Sequence, residues 1–139
     1  VFTAQEMNRF AKLYTAQAAI DCMERGEIVL LAGGTGNPFF TTDTTAALRA
    51  AELKADAVFK GTTVDGVYDC DPRTNPNAKL IRDITYREAV EKRLRALDLT
   101  AFLLCMEQKV PLVRVFSMDD LENILRVAAG EPLGTTVHP

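Results

Sequence analysis

Residues 33–52, GGTGNPFFTTDTTAALRAAE, place three glycines, two adjacent phenylalanines and a threonine cluster with one aspartate ahead of an alanine-rich, helix-like segment. Gly33, Gly34 and Gly36 permit backbone conformations closed to other residues and let a ligand approach the main chain. Thr41, Thr42, Asp43, Thr44 and Thr45 fall where a helix begins. Free N–H groups at a helix start, helped by hydroxyls, hold an anion. Phe39 and Phe40 are adjacent, so both do not easily enter one core. An aromatic beside an anion site offers a flat apolar surface to a planar ring. An anion and a ring together describe a nucleotide. A plain strand-to-helix turn with a threonine cap uses the same residues, with one phenylalanine buried and the other against a neighbouring subunit. Asp43 reads as a helix cap or, in a phosphate site where like charges repel, as the carboxylate that holds a lysine.

A second segment, KGTTVDGVYDCDP at 60–72, also carries chemistry. Lys60 stands at the carboxyl end of an apolar run, where a cation would face a phosphate. Gly61 and Gly66 shape turns, and Tyr68 offers a surface for a base. Asp65, Asp69 and Asp71 are acceptors for a sugar hydroxyl, a base amine or hydrated magnesium. A polar surface loop with Asp and Gly in turns is the competing reading.

These segments need elements to position them. Apolar residues at Phe10, Leu13, Tyr14, Ala18 and Met23, with Gly26 just after, predict a helix over residues 2–25. EIVLLA at 27–32 and AVFK at 57–60 read as strands buried on both faces. Residues 43–54 read as a helix and 61–79 as loop and turns. A short strand at 80–84 precedes a helix from 86 to about 95. Residues 98–108 form an apolar helix with Asp98 as its N-cap. A strand at 110–116, a helix at 117–130 and a final edge strand at 134–137 complete the chain. The alternation predicts an α/β fold, a mostly parallel sheet sandwiched by helices. Ligands in such folds sit beyond the carboxyl ends of strands. Both loops follow a predicted strand, so they are expected to line one cleft at the ends of neighbouring central strands.

Bulk properties narrow the function. The 139 residues suit one domain, and 47% hydrophobic with 25% charged residues is ordinary for a globular protein. A net charge of −3 argues against phosphate-neutralising nucleic-acid binding. Cys22, Cys70 and Cys105 are too few and too far apart for a disulfide framework or a zinc site, so a reducing compartment is expected. The longest apolar run, 28–32, is too short to span a bilayer. His138 is the single histidine, expected in a solvated tail, which excludes His-dependent triads and His-ligated metals. There is no Walker-type loop and no complete dinucleotide fingerprint.

Taken together, GGTGNPFFTTDTTAALRAAE and ADAVFKGTTVDGVYDCDP, continued by the stretch from 78 to 137, resemble the bacterial and plastid-type UMP kinases of the amino acid kinase superfamily. GTGNPFFTTD separates these from relatives acting on aspartate, glutamate, acetylglutamate or carbamate. The resemblance implies an amino acid kinase-like three-layer α/β/α fold and transfer of the ATP γ-phosphoryl group to UMP, giving UDP, with magnesium. It implies UMP contacts from Thr35, Gly36, Asn37, Pro38, Phe39, Phe40, Thr41 and Thr42, and ATP contacts from Thr62, Tyr68 and Asp71. Asp43 would orient phosphate-binding lysines, with Lys60 assisting on the ATP side. It further implies a cytoplasmic homohexamer, activated by GTP and inhibited by UTP. Family members begin with a strand and a Lys-x-Ser-Gly-Glu-Ala-Leu type loop that these residues lack, and Thr63 stands where many carry lysine. The chain therefore reads as the C-terminal nucleotide-binding portion of a single kinase domain, inactive alone. Alternatives are a non-catalytic nucleotide-binding or assembly fragment, or another member of the superfamily.

Overall fold

The computed structural model describes residues 1–94 and 96–139. A four-stranded sheet carries the larger core. Its strands are β4 (Val58–Thr62), β7 (Asp83–Thr85), β8 (Val113–Ser117) and β9 (Thr135–His138), in the order β4-β8-β9-β7. β4 runs parallel to β8 and β7 parallel to β9, while β8 and β9 are antiparallel. A smaller sheet joins three parallel two-residue strands, β1 (Phe2–Thr3), β2 (Lys12–Leu13) and β3 (Leu31–Ala32), in the order β2-β1-β3. A hairpin of β5 (Val67–Tyr68) and β6 (Leu80–Ile81) stands apart. The helices are α1 (Ala16–Glu24), α2 (Thr42–Leu53), α3 (Tyr86–Glu91), α4 (Leu99–Glu107) and α5 (Asn123–Ala128).

The core forms where α2, α3 and α4 meet one face of the larger sheet. Ala47 and Ala50 of α2 and Ala101 of α4 are small, which lets the two helices approach closely over Val58, Val113, Val115 and Val137. Phe102 and Tyr86 fill the remaining volume, and the Tyr86 hydroxyl donates to the Val110 carbonyl at 2.9 Å, so its burial leaves no orphaned polar atom. Phe116 and Val127 of α5 are buried apart from this cluster.

Capping sets the helix starts. Thr15, Thr41, Thr85 and Asp98 each accept from a backbone N–H of the first turn, and Thr85 with Glu88 completes a capping box. The expected helices at 43–54 and 98–108 are α2 and α4 almost residue for residue.

Several expectations are corrected. The helix over 2–25 is a helix only from Ala16. Phe2 and Thr3 instead pair with Leu31 and Ala32, and one helical turn at Met7 imitates the apolar periodicity while leaving Phe10 82% exposed. The strand at 27–32 is not buried on both faces: Ile28 is 92% exposed and only Leu31 and Ala32 pair. β4 is likewise one-sided, since Phe59 faces outward against Phe116. The loop at 61–79 contains β5, and the strand at 80–84 is two strands, β6 and β7. The helix at 86–95 ends at Glu91, and Arg95 lies outside the described residues. The helix at 117–130 shrinks to Asn123–Ala128. The final strand is interior, between β8 and β7, because Thr135 and Val137 are fully buried and need partners on both sides.

His138 is partly exposed but is not in a free tail. It closes β9, and its Nε2 lies 2.9 Å from Asp83 Oδ1 of β7. The hydrogen bond to Asp83 and the neighbouring carboxylates raise its pKa above the ordinary histidine value. A raised folded pKa gives stability that is complete below the unfolded value and lost as pH rises through the folded one. The pair is solvent-exposed, so its contribution is at most about 0.5 kcal/mol. Urea titrations of wild type and His138→Gln should therefore differ slightly at pH 5.5 and coincide at pH 8.5; an equal gap at both would assign the effect to packing.

Candidate functional site

The glycine turn follows β3. Gly33, Gly34 and Gly36 all take positive φ (+80°, +64° and +78°), and a Cβ on Gly36 would crowd the Ala4 carbonyl at 3.2 Å. Two side chains from outside the turn grip its carbonyls: Arg49 Nη2 donates to Gly34 O at 3.2 Å, and Gln5 Nε2 to Gly36 O at 2.8 Å. Thr35 Oγ1 accepts from Asn37 N–H at 3.1 Å. Phe39 is fully exposed and holds φ +70°, a left-handed conformation that a bulky residue adopts only where surrounding structure enforces it. Phe40 is about half exposed. Neither ring is buried beneath a helix.

Thr41 caps α2, and its first turn carries Asp43. Lys60, pointing from β4, lies 2.6 Å and 2.8 Å from the two Asp43 carboxylate oxygens. Both side chains keep roughly a quarter of their surface exposed, so the pair is reachable by a ligand. Asp43 Oδ2 also accepts from the Asp98 N–H at 3.3 Å. The Asp98 carboxylate caps α4 through Ala101 N–H at 2.7 Å and accepts from the hydroxyls of Thr41 and Thr44. One carboxylate thus ties the starts of α2 and α4 together. Burial pushes the Asp98 pKa up, but the bonds from Thr41, Ala101 and Thr44 and the charge of Lys60 outweigh it, and the net pKa is lowered. Asp98→Ala should cost about 2 kcal/mol at pH 7, the loss of a good cap. The depressed pKa makes the charged share of this contribution complete above about pH 4, the unfolded value, and lost as pH falls through the lowered folded one. The gap between the two urea midpoints should therefore narrow as pH falls below about 4; a gap that widens there would contradict it.

Beyond Lys60 lies a cleft of about 580 Å³. Lys60 and Thr62 of β4, Tyr68 and Asp71, and Lys92, Arg93 and Leu94 line it. The lining at Tyr68 is fixed through Thr135, whose buried hydroxyl accepts from Val67 N–H at 2.8 Å. The segment after Tyr68 is built by Asp69, which accepts from Lys79 N–H at 2.8 Å, and by Asp71, which accepts from Arg73 N–H at 2.9 Å. A shallower concavity of about 400 Å³ over Asn8, Arg9 and Lys12 holds no part of either segment.

The structure thus gathers Thr62, Tyr68 and Asp71 in one cleft, and the Asp43–Lys60 pair joins its lining to the start of α2, which follows residues 35–42. The strands that carry the two segments are not neighbours in one sheet, as the sequence suggested: β3 belongs to the smaller sheet and β4 to the larger. Side chains, not strand pairing, join them. Lys92, Arg93 and Asp98 went unassigned to the site; only the basic pair after α3 and the Asp98 cap signal were visible locally. Among the described residues no three His, Cys, Asp or Glu side chains converge as a metal cage.

The model of the amino acid kinase family matches residues 2–117. The chain belongs to the amino acid kinase family. Within it, the chain is similar to uridylate kinases. It is 49% identical over 138 residues to the uridylate kinase of Bacteroides thetaiotaomicron, covering 99% of this chain and 58% of that protein. It is 48% identical over 137 residues to a chloroplastic uridylate kinase of Arabidopsis thaliana, covering 99% of this chain and 40% of the other. The crystal structure of UMP kinase from Bacillus anthracis superposes with a TM-score of 0.94 at 33% identity, over 99% of this chain and 56% of that one. The chain thus spans roughly half the length of the relatives it matches. No helix among the described residues is long and apolar enough to cross a membrane.

Proposed function

We propose that these residues form the nucleotide-binding portion of a UMP kinase, which moves the γ-phosphoryl group of ATP to UMP. The observation that supports this reading is the Asp43–Lys60 pair, 2.6 Å long, which ties the helix start after residues 35–42 to a residue lining the cleft of Thr62, Tyr68 and Asp71. On this reading residues 35–42 hold UMP, with the Phe39 and Phe40 rings beside the uracil. Thr62, Tyr68 and Asp71 hold ATP, brought in with magnesium. Lys60 lies between the two, where negative charge builds during transfer. Phosphoryl transfer is mostly positioning and charge stabilisation, so the site needs no histidine base. Lys60 and the cleft-lining cations Lys92 and Arg93 supply only part of the charge that a triphosphate carries. Alone, the chain is proposed to bind both nucleotides and to form UDP at a negligible rate. The whole enzyme would work in the cytoplasm as a homo-oligomer, its hexameric state and its response to GTP and UTP carried by family likeness.

Calorimetric titration of the 139-residue chain tests this. UMP and ATP should bind at separate sites, each in the presence of the other, and UMP more tightly than AMP. Absence of UMP binding, or competition between UMP and ATP for one site, sinks the reading. UDP production near an ordinary kinase rate of about 1–100 per second would refute the inactivity of the bare chain. The exposed Phe10, Leu13, Ile28 and Leu30 favour a second reading, an assembly module. Self-association without nucleotide binding would support it.

A further inference from the structure

An anion site built from backbone N–H groups has an electrostatic requirement: the carbonyl oxygens of the same turn must point elsewhere and be satisfied there. In the turn at 33–36 the carbonyls of Gly34 and Gly36 are taken by Arg49 and Gln5. Among the described residues, the N–H groups of Gly34, Thr35, Phe39 and Phe40 find no hydrogen-bond partner. Arg49 is unusually well fixed for an arginine on a helix surface. Its side chain is only 12% exposed, its Nη1 lies 2.7 Å from Glu52 Oε2, and its guanidinium carbon lies 3.9 Å from the centre of the Tyr14 ring. The Tyr14 hydroxyl donates to the same Glu52 oxygen at 2.7 Å. Tyr14 comes from the β2–α1 connection, Arg49 and Glu52 from α2, and Gly34 from the turn, so three segments meet at one guanidinium.

We propose that Arg49 is a positioning residue for the monophosphate loop: by drawing the Gly34 carbonyl away from the site it leaves the loop's N–H groups facing an anion. The proposal rests on the reading of residues 35–42 as the UMP loop. Arg49 touches neither nucleotide. It acts through Gly34, and it needs its planar fork to do so. One edge meets Gly34 and Glu52 together while the face lies on Tyr14. A lysine carries the charge but has no plane and no fork.

Amide hydrogen exchange on the ligand-free chain, together with calorimetry, tests this in Arg49→Ala and Arg49→Lys. Exchange at residues 34–37 should quicken about tenfold in both variants while residues 46–53 of α2 stay within about twofold of wild type, as for a local opening. The UMP dissociation constant should rise about tenfold, the equivalent of one charge-assisted hydrogen bond, with that for ATP unchanged. A merely structural arginine would loosen α2 as well and weaken both nucleotides alike, and that result overturns the proposal. So does full recovery by lysine. If wild type takes no UMP, the reading of the loop falls, and the exchange comparison alone then judges the grip of Arg49 on Gly34.

Discussion

Lys60→Met should weaken ATP binding by about 10- to 100-fold, the range for losing a charge-assisted contact in a partly shielded site. Two effects add. On the proposed function, the ammonium facing the incoming phosphates is gone, and Asp43 becomes an uncompensated carboxylate beside the proposed anion site. The second effect is separable. Asp43→Asn removes the negative charge, so Lys60→Met placed on that background should cost less than it does alone. A double-mutant cycle in ATP binding should give a coupling of about 1–3 kcal/mol for side chains in direct contact. The Lys60 and Asp43 side chains are 29% and 21% exposed, so the coupling should survive 0.15 M salt, where an exposed pair would be largely screened. UMP affinity should fall less than ATP affinity, since residues 35–42 keep their N–H groups. Wild-type ATP affinity in Lys60→Met, or strict additivity with Asp43→Asn, would remove the pair from the site.

How much of this was legible depends on the range of the interactions involved. The caps at Thr41 and Asp98 are one-turn contacts, so helices α2 and α4 could be read almost to the residue. The family could be read because the glycine turn and the segment after Lys60 are contiguous motifs. Failures came where the deciding partner is distant in sequence. Residues 2–13 carry spacings that suit a helix, yet Phe2 pairs with Leu31, and nothing local announces that. Strand β5 falls inside a segment that reads as loop because its anchor, Thr135, lies 68 residues beyond Val67. The apolar run at 27–32 has the composition of a strand buried on both faces, but the small sheet gives it one strand neighbour and leaves Ile28 in solvent.

The site shows the same division. Asp43 suggested a carboxylate waiting for a lysine, but its chemistry did not name Lys60, which comes from another sheet. Asp98 was legible as a cap and illegible as the clasp on Thr41 and Thr44, since that role exists only once α2 and α4 are packed. Arg49 lay in plain view as a surface arginine of an alanine-rich helix. Its hold on Gly34, 15 residues away, requires the turn to fold back over the helix.

Gly134→Ala should be the most damaging single substitution for the fold. Gly134 takes φ +72°, and an added Cβ would land on the carbonyl oxygen of Val115, a backbone atom in the neighbouring strand. A side chain could turn aside; a strand carbonyl in the centre of the sheet cannot. The left-handed backbone costs alanine about 1 kcal/mol, and forcing β9 from β8 adds about 1–3 kcal/mol for overpacking. The displaced strand holds Thr135 and Val137, both fully buried, so the hairpin lining of the cleft would move with it. A total of about 2–4 kcal/mol is a large share of the 5–15 kcal/mol typical of a domain. Gly26→Ala separates the two contributions: φ is +80° there, but nothing lies within 4 Å of the new Cβ. It should lose only the conformational part, about 1 kcal/mol. Urea unfolding of both variants reads the difference directly. Equal midpoints would mean that backbone strain alone sets the loss at Gly134, and that β8 and β9 can separate at little expense in the folded protein.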